Sequence, residues 1–587
     1  MSSDDTTIRA LSNPVVVDKK VFIESDAGDG TKREDQYLHG ANLTLCLLSL
    51  FLSLFLVALD QTIIITLLSD VGNKFNALDK VGWLASGFLL AMAVFVATWG
   101  KASVIFGRKI AMYVAIVLFE AGSLMCALSN SMNVLIGGRV LAGVGGGGIQ
   151  SLVFIIITEI VPIEKRPSTM AFIGCVFAVA SVLGPLIGGA FTSNVSWRWC
   201  FYINLPVGAV ALVFLFFAFN PPKTQGNFTK KLKMIDYIGT FLLTSGCVIF
   251  LLALTFGAST YSWDSAAVIC CFIFGVVMLI AFGVWNFKYS KSQILATEVI
   301  VIPQIVAATV TMFCMFAYFM ASTLYSSVYF QVIWGADAWH SGLHLLPTII
   351  PVVIASIAGG VTINKTRWVK PFSIAAGVLG PIGCGLLSIL DVDSSRSARI
   401  GLLIVVGFSC GLHMQSCIIS AQIPAPKTPG GTIMATTLIN LGRGLGGAVG
   451  AALADAVYNS SFKNEYRANL KKLTDQSILE QLDKINISQL TTSSTILNTL
   501  TPDARLFVKK QIMAGIRNVF YMCLGFACLA FLAGLFMTNK RLPQASAGAT
   551  AVAEETTPRN DSNKDDSEES SSTDGERRDF EQEKVTV

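Results

Sequence analysis

Asp60, Glu120 and Arg139 are ionisable residues set in otherwise apolar runs, in a chain of 587 residues that is 53% hydrophobic and 14% charged. An ionisable group placed in hydrocarbon costs several kcal/mol, so such residues usually line a polar pathway or pair with one another. Two carboxylates and a guanidinium suit reversible proton binding. Burial favours the neutral carboxyl and a nearby guanidinium favours the ionised one, so any movement that alters either changes proton occupancy. The competing reading is a fixed ion pair that only sets helix packing. Two further charges interrupt apolar runs. Asp455 stands near the end of its run, within reach of water, and Arg443 lies deeper, where it either lines a polar path or makes a packing contact.

The elements that must position these residues are fourteen apolar stretches, each near the 20 or so residues that a membrane helix needs. They run over 41–66, 81–103, 110–129, 133–160, 169–191, 199–219, 237–256, 265–285, 306–330, 342–363, 371–390, 400–419, 430–457 and 519–537. At 1.5 Å per residue, Asp60, Glu120 and Arg139 fall in one slab, roughly 9 to 14 Å below the outer surface. Short loops on one side are rich in Lys and Arg, including Lys101, Arg108, Lys109, Lys165, Lys231 and Lys365. Those on the other side hold only Lys74, Lys80, Arg198, Arg396 and Arg399. This bias places both termini in the cytosol and agrees with an even number of spans. The fold class expected is therefore an all-α polytopic membrane protein with 14 transmembrane helices.

Gly143 to Gly148 satisfies the spacing G-x-G-x-x-G, but dinucleotide binding needs a strand before the glycines and a soluble βαβ unit around them. Inside an apolar helix, Gly138, Ala142 and Gly146 on one face and Gly143 and Gly147 on the next instead allow close helix contact. A G-x-x-x-x-G-K-[ST] phosphate loop is absent from the sequence, which argues against ATP as the energy source. The thirteen cysteines fall almost wholly within apolar runs and read as small hydrophobes, with no disulfide framework or metal site. Asn459 and Asn486 head sequons in an outer loop expected over 458–515, where glycosylation is possible, while the sequons at Asn227 and Asn364 face the cytosol. Residues 1–40 have no sustained apolar period, and 541–587 are rich in Ser, Thr, Glu and Asp, so both are expected to be disordered cytosolic tails.

With these residues in view, the chain resembles the major facilitator superfamily, and in particular its fourteen-span drug:proton antiporter branch. Leu59-Asp60-Gln61-Thr62-Ile63 is similar to the first-span motif of that branch, and Gly138-Arg139-Val140-Leu141-Ala142-Gly143 to its fourth-span arginine motif. Gly184-Pro185-Leu186-Ile187-Gly188-Gly189 matches the fifth-span motif of antiporters. The resemblance implies the major facilitator fold: a first six-helix bundle over 41–220, a linker with two inserted helices over 221–300, and a second six-helix bundle over 301–540. It also implies proton coupling by Asp60 and Arg139 with Glu120, and a flexible antiport seam at Gly184, Pro185, Gly188 and Gly189. The segment Gly100 to Lys109 resembles the superfamily's cytosolic gating loop, with Gly100, Gly107, Arg108 and Lys109 in place. Val104 and Ile105 stand where an acidic and a basic residue are usual, so either Arg108 or Lys109 could pair with Glu159 as a reduced latch.

The expected function is a proton-coupled antiporter exporting drugs, dyes or other toxic hydrophobic or cationic compounds from the cytosol. Its partners are a small-molecule substrate, protons and the lipid bilayer. It needs no cofactor beyond the proton gradient, binds no nucleic acid and acts as a monomer, most simply at the plasma membrane. The altered gating loop is similar to fungal azole- and dye-resistance pumps and to vacuolar basic amino acid transporters. The alternative is therefore a vacuolar basic amino acid/proton antiporter with the same topology. A non-transporting membrane sensor is the reading from another class, and an enzyme is disfavoured because no nucleophile and base can be placed together.

Overall fold

The computed structural model describes residues 36–543 apart from 76, 78–79, 222–227, 260, 337, 473–474 and 484–499. All of these belong to one compact unit, Phe22–Gln544. Asn227, Asn486 and the tails beyond residues 36 and 543 lie outside the described residues.

Every regular element among the described residues is helical. That is the expected outcome for a single-chain span, because a helix satisfies its own backbone hydrogen bonds where no water can. The long helices are α1 (Gly40–Lys74), α2 (Gly82–Phe106), α3 (Arg108–Ala127), α4 (Met132–Ile160), α5 (Arg166–Asn194), α6 (Asn204–Ala218) and α7 (Tyr237–Ser259). They continue with α8 (Ala266–Val284), α9 (Pro303–Val328), α10 (Ala338–Thr366), α11 (Lys370–Leu387), α12 (Arg396–Gln422), α13 (Gly431–Leu470) and α14 (Pro502–Gly534). Local chemistry sets several starts. The Ser131, Ser265 and Ser395 hydroxyls accept from the backbone N–H three residues on, at the N-termini of α4, α8 and α12. Gly107, at φ 91°, makes the sharp break between α2 and α3, a conformation that a β-carbon would strain.

Thirteen helices among the described residues are long and apolar enough to cross a membrane. The expected span over 430–457 falls on α13, which does not pass on composition because glycines, Asn440 and Arg443 dilute its apolar residues. It is nonetheless packed among α2, α7, α9 and α14. Where it is described, the outer segment expected as a loop over 458–515 is largely helical: α13 runs on to Leu470, a short helix covers Gln476–Asp483, and α14 begins at Pro502. Apolar length had marked only the parts of α13 and α14 that lie in lipid.

Helices α1 to α6 pack together and α9 to α14 pack together, giving two six-helix bundles, while α7 and α8 pair and lean on α2 and α13. The bundles meet along α5 with α10 and along α2 with α13. Small residues bring these pairs close. A β-carbon at Gly360 would stand 2.5 Å from the Pro167 carbonyl oxygen, and one at Gly444 would stand 3.2 Å from Ala93 Cα. The glycine run of α4 works in the same way inside the first bundle, with Gly143 and Gly147 against α2 and Gly138 and Gly145 against α3. At the cytosolic end Ile163, Ile363, Ile419 and Ile423 form one apolar cluster, and Arg166 donates to Gln422 at 3.4 Å across the bundles.

Candidate functional site

Between the two bundles lies a cavity of about 290 Å³, near the small end of the range for ligand pockets. Its wall draws on α1, α2, α4 and α5 from one bundle and α9, α10, α12 and α13 from the other. Most of the lining is apolar, with Phe88, Met92, Phe177, Phe316, Phe319 and Met320 prominent. Gln61, Thr62, Gln150, Ser181 and Thr323 supply hydrogen-bonding groups, and Arg139 and Arg443 are the charged residues of the lining.

The sequence pairing of Asp60 with Arg139 is present as a contact. Arg139 Nη1 donates to Asp60 Oδ2, and each residue is 1% exposed. The guanidinium also donates through Nε to the Leu84 carbonyl at 2.9 Å and lies 4.3 Å from the Phe88 ring centroid. Asp60 Oδ1 has no hydrogen-bond partner. Arg139 of the pair lines the cavity while Asp60 does not, and one carboxylate oxygen is left uncommitted.

Glu120 does not join them. It is absent from the cavity lining, and its side chain turns to α6, where a β-carbon at Gly208 would stand 2.6 Å from its Cδ. Neither carboxylate oxygen has a hydrogen-bond partner. Beside it, Asn204 of α6 donates to Ser123 of α3 at 3.0 Å. Equal depth, which a sequence can supply, does not fix the azimuth of a side chain around its helix. Asp455 lies within α13, which runs on to Leu470, and accepts from Tyr325 Oη at 2.6 Å.

Of the two basic residues expected to form a gate, it is Arg108 that meets Glu159. Its Nε donates to Glu159 Oε1 at 2.8 Å and its Nη2 stands 2.5 Å from the same oxygen, with both residues buried. Lys109 points elsewhere and donates to the Phe216 carbonyl at 3.0 Å and Asn220 Oδ1 at 2.6 Å. Gly100 meets the other bundle: a β-carbon there would stand 2.9 Å from Thr437 Cβ.

The fifth-span motif has two faces. Gly184 and Gly188 pack on α1, where added β-carbons would stand 2.7 Å from Thr62 Cβ and 2.8 Å from Ile63 Cγ1. Pro185 instead faces α10, its Cγ 3.7 Å from where a β-carbon on Gly342 would be. Gly189 departs from the expected packing role, since a β-carbon there would have nothing within 4 Å. Near the proline, which lacks an N–H, the Thr62 hydroxyl lies 3.1 Å from the Ala180 carbonyl and can donate to it. Asn459, expected in a loop, sits within α13, and its Nδ2 donates to the Asp455 carbonyl one turn back at 3.0 Å.

Arg443 lines the cavity, with its guanidinium carbon 4.7, 5.1 and 5.4 Å from the ring centroids of Phe316, Phe154 and Phe177. These three aromatic partners were not legible in the sequence, because a Phe in an apolar helix carries no signal of what it faces.

The profile of the Major Facilitator Superfamily matches residues 50–451. The chain belongs to the major facilitator superfamily. It is 37% identical over 565 residues to vacuolar basic amino acid transporter 5 of Saccharomyces cerevisiae, covering 88% of this chain and 94% of that one. It is 33% identical over 574 residues to azole resistance protein 1 of the same yeast, covering 88% and 91%. The fold is shared with the human organic anion transporter MFSD10 (TETRAN), at a TM-score of 0.54 and 15% identity over 84% of this chain and all of that one. This superfamily member is an integral membrane transporter of small molecules and not an enzyme. The resemblance drawn from the first-, fourth- and fifth-span motifs is borne out.

Proposed function

We propose that this transporter is a proton-driven antiporter that moves hydrophobic drugs, dyes or other toxic compounds out of the cytosol at the plasma membrane, acting as a monomer. The observation that carries the reading is the buried Asp60–Arg139 pair, whose arginine lines the central cavity and whose Asp60 Oδ1 has no hydrogen-bond partner and is free to hold a proton. In the proposed cycle, protonation of Asp60 from the outer side frees Arg139 from its counter-charge, and release of the proton to the inner side restores the pair. Rocking of the bundles along α5–α10 and α2–α13 would expose the cavity to each side in turn. The Arg108–Glu159 pair and the isoleucine cluster would hold the cytosolic end shut in the meantime. Glu120 is assigned a lesser part, since its side chain faces α6 and neither of its carboxylate oxygens bonds to Arg139. The test is efflux from proteoliposomes under an imposed pH gradient. Asp60→Asn should be expressed and inserted yet lose gradient-driven flux, and normal flux would remove Asp60 from the mechanism.

A second reading is supported by the higher identity to the yeast vacuolar basic amino acid transporter than to the azole resistance protein. Here the same exchange would load basic amino acids into the vacuole. Fluorescent localisation, with uptake of labelled arginine into vacuolar vesicles, separates the two.

A further inference from the structure

Arg443 differs from Arg139, the other arginine of the cavity wall, in having no counter-charge. Arg108 is paired with Glu159 and Arg139 with Asp60, whereas Arg443 makes no ion pair or hydrogen bond with any described residue. It is 5% exposed, and its Nη1 is buried without a partner. Three aromatic rings surround the guanidinium, and contacts of this kind contribute about 0.5 to 2 kcal/mol. Removing an ion from water costs several kcal/mol, which three such contacts go far to offset, but rings supply neither an opposite charge nor the planar acceptors that guanidinium N–H groups take.

The cavity wall around this residue contains two arginines and no Asp or Glu. Asp60 neutralises Arg139, which leaves the wall with one uncompensated positive charge at Arg443. A solute that is only a cation would therefore meet no free carboxylate here and would be repelled by Arg443. A solute with an oxyanion would supply the missing charge. A planar guanidinium fork matches a carboxylate in particular, and charge-assisted bonds of this kind are about twice as strong as neutral ones.

The position adds a reason for coupling to transport. Arg443 belongs to α13 in the second bundle, while Phe154 and Phe177 belong to α4 and α5 in the first. Its charge thus sits at the seam that must move. Neutralising it lowers the cost of closing the apolar walls around it.

We propose that Arg443 is the anchor for a carboxylate on the transported solute, so that the substrate class is an organic acid or zwitterion with an apolar or extended body. This rests on the transporter reading above and narrows its substrates; any positive charge on the solute is incidental to recognition at this cavity.

Two matched pairs of probes test it on the full-length protein in lipid nanodiscs without a gradient. Arginine and agmatine differ by the carboxylate, and rhodamine 110 and its methyl ester rhodamine 123 differ by its masking. The acid should bind about tenfold to a hundredfold more tightly in at least one pair, the range for a buried charge-assisted bond. Arg443→Gln should weaken the acid and not its partner, which is relieved of repulsion, so that the difference between them disappears, and Arg443→Lys should restore part of that difference. Equal affinity of acid and partner in both pairs for the wild-type protein overturns the proposal, whether or not the variants fold. So does a loss in Arg443→Gln that is equal for both members of a pair, since that marks a structural role. Gradient-driven flux is measured separately in proteoliposomes. Absent flux with intact carboxylate discrimination would sink the antiport reading and leave the anchor standing.

Discussion

Replacing Asp60 with Leu should destabilise this transporter more than replacing Arg139 with Leu, and replacing both should destabilise it less than replacing Asp60 alone. Both residues are 1% exposed, so neither can turn to water when its partner is removed. Breaking a buried ion pair from one side typically costs 3–5 kcal/mol, because a charge is left uncompensated. Arg139 would keep its hydrogen bond to the Leu84 carbonyl and its place beside the Phe88 ring, which puts Asp60→Leu near the low end, at about 3 kcal/mol. The converse change is milder. A stranded carboxyl can take up a proton and become neutral, whereas a guanidinium cannot lose one, so Arg139→Leu should cost about 1–2 kcal/mol. In the double variant no buried charge remains, and apolar replacement of a buried pair is often neutral, so it should lie within about 1 kcal/mol of the wild type. The assay is a double-mutant cycle of thermal unfolding midpoints in one detergent, with expression checked in parallel. The expected order is wild type near the double variant, then Arg139→Leu, then Asp60→Leu. Additive losses would refute the reasoning, since independent sites add and coupled ones do not. Transport should be lost in all three variants, which separates the pair's structural part from its proposed proton-carrying part.

The gate offers a contrast between neighbours: Arg108→Gln should cost about 3 kcal/mol and loosen the cytosolic seal, measured as substrate leak from proteoliposomes, because Glu159 loses its buried charge partner. Lys109→Gln, half-buried and bonded to Phe216 and Asn220, should cost about 1 kcal/mol or less in the same assay. Within the fifth-span motif, Gly184→Val and Gly188→Val should cut expression and flux by forcing α5 off α1, while Gly189→Ala should leave both unchanged because its β-carbon meets nothing. Asn459→Gln should leave electrophoretic mobility unchanged, since the amide is engaged within a helix and not offered on a loop; a downward shift would show that it is glycosylated.

Much of the architecture was legible from residue types alone. Thirteen of the fourteen expected spans coincide with helices apolar enough to cross a membrane, and α13 was marked although glycines, Asn440 and Arg443 interrupt it. The solvent sets this: lipid requires long runs of apolar residues, and a run of that length has little choice but helix. The continuation of α13 to Leu470 and the early start of α14 at Pro502 were not legible, because beyond the lipid a helix has no need to be apolar. The pairing of Asp60 with Arg139 followed from the rarity of charge in lipid. That Glu120 would turn to α6 did not, because depth along a helix is linear in sequence while direction around it depends on what packs there.

The sequence by itself determined that this chain lives in a membrane and which few charges had to be accounted for. The tertiary structure decided their company: Arg108 and not Lys109 on Glu159, Pro185 towards α10 of the other bundle while Gly184 and Gly188 face α1 of their own, and Arg443 among three rings with no carboxylate. Each of these depends on contacts between residues far apart in the chain. Such contacts are set by how helices rotate and approach one another, which local composition does not encode.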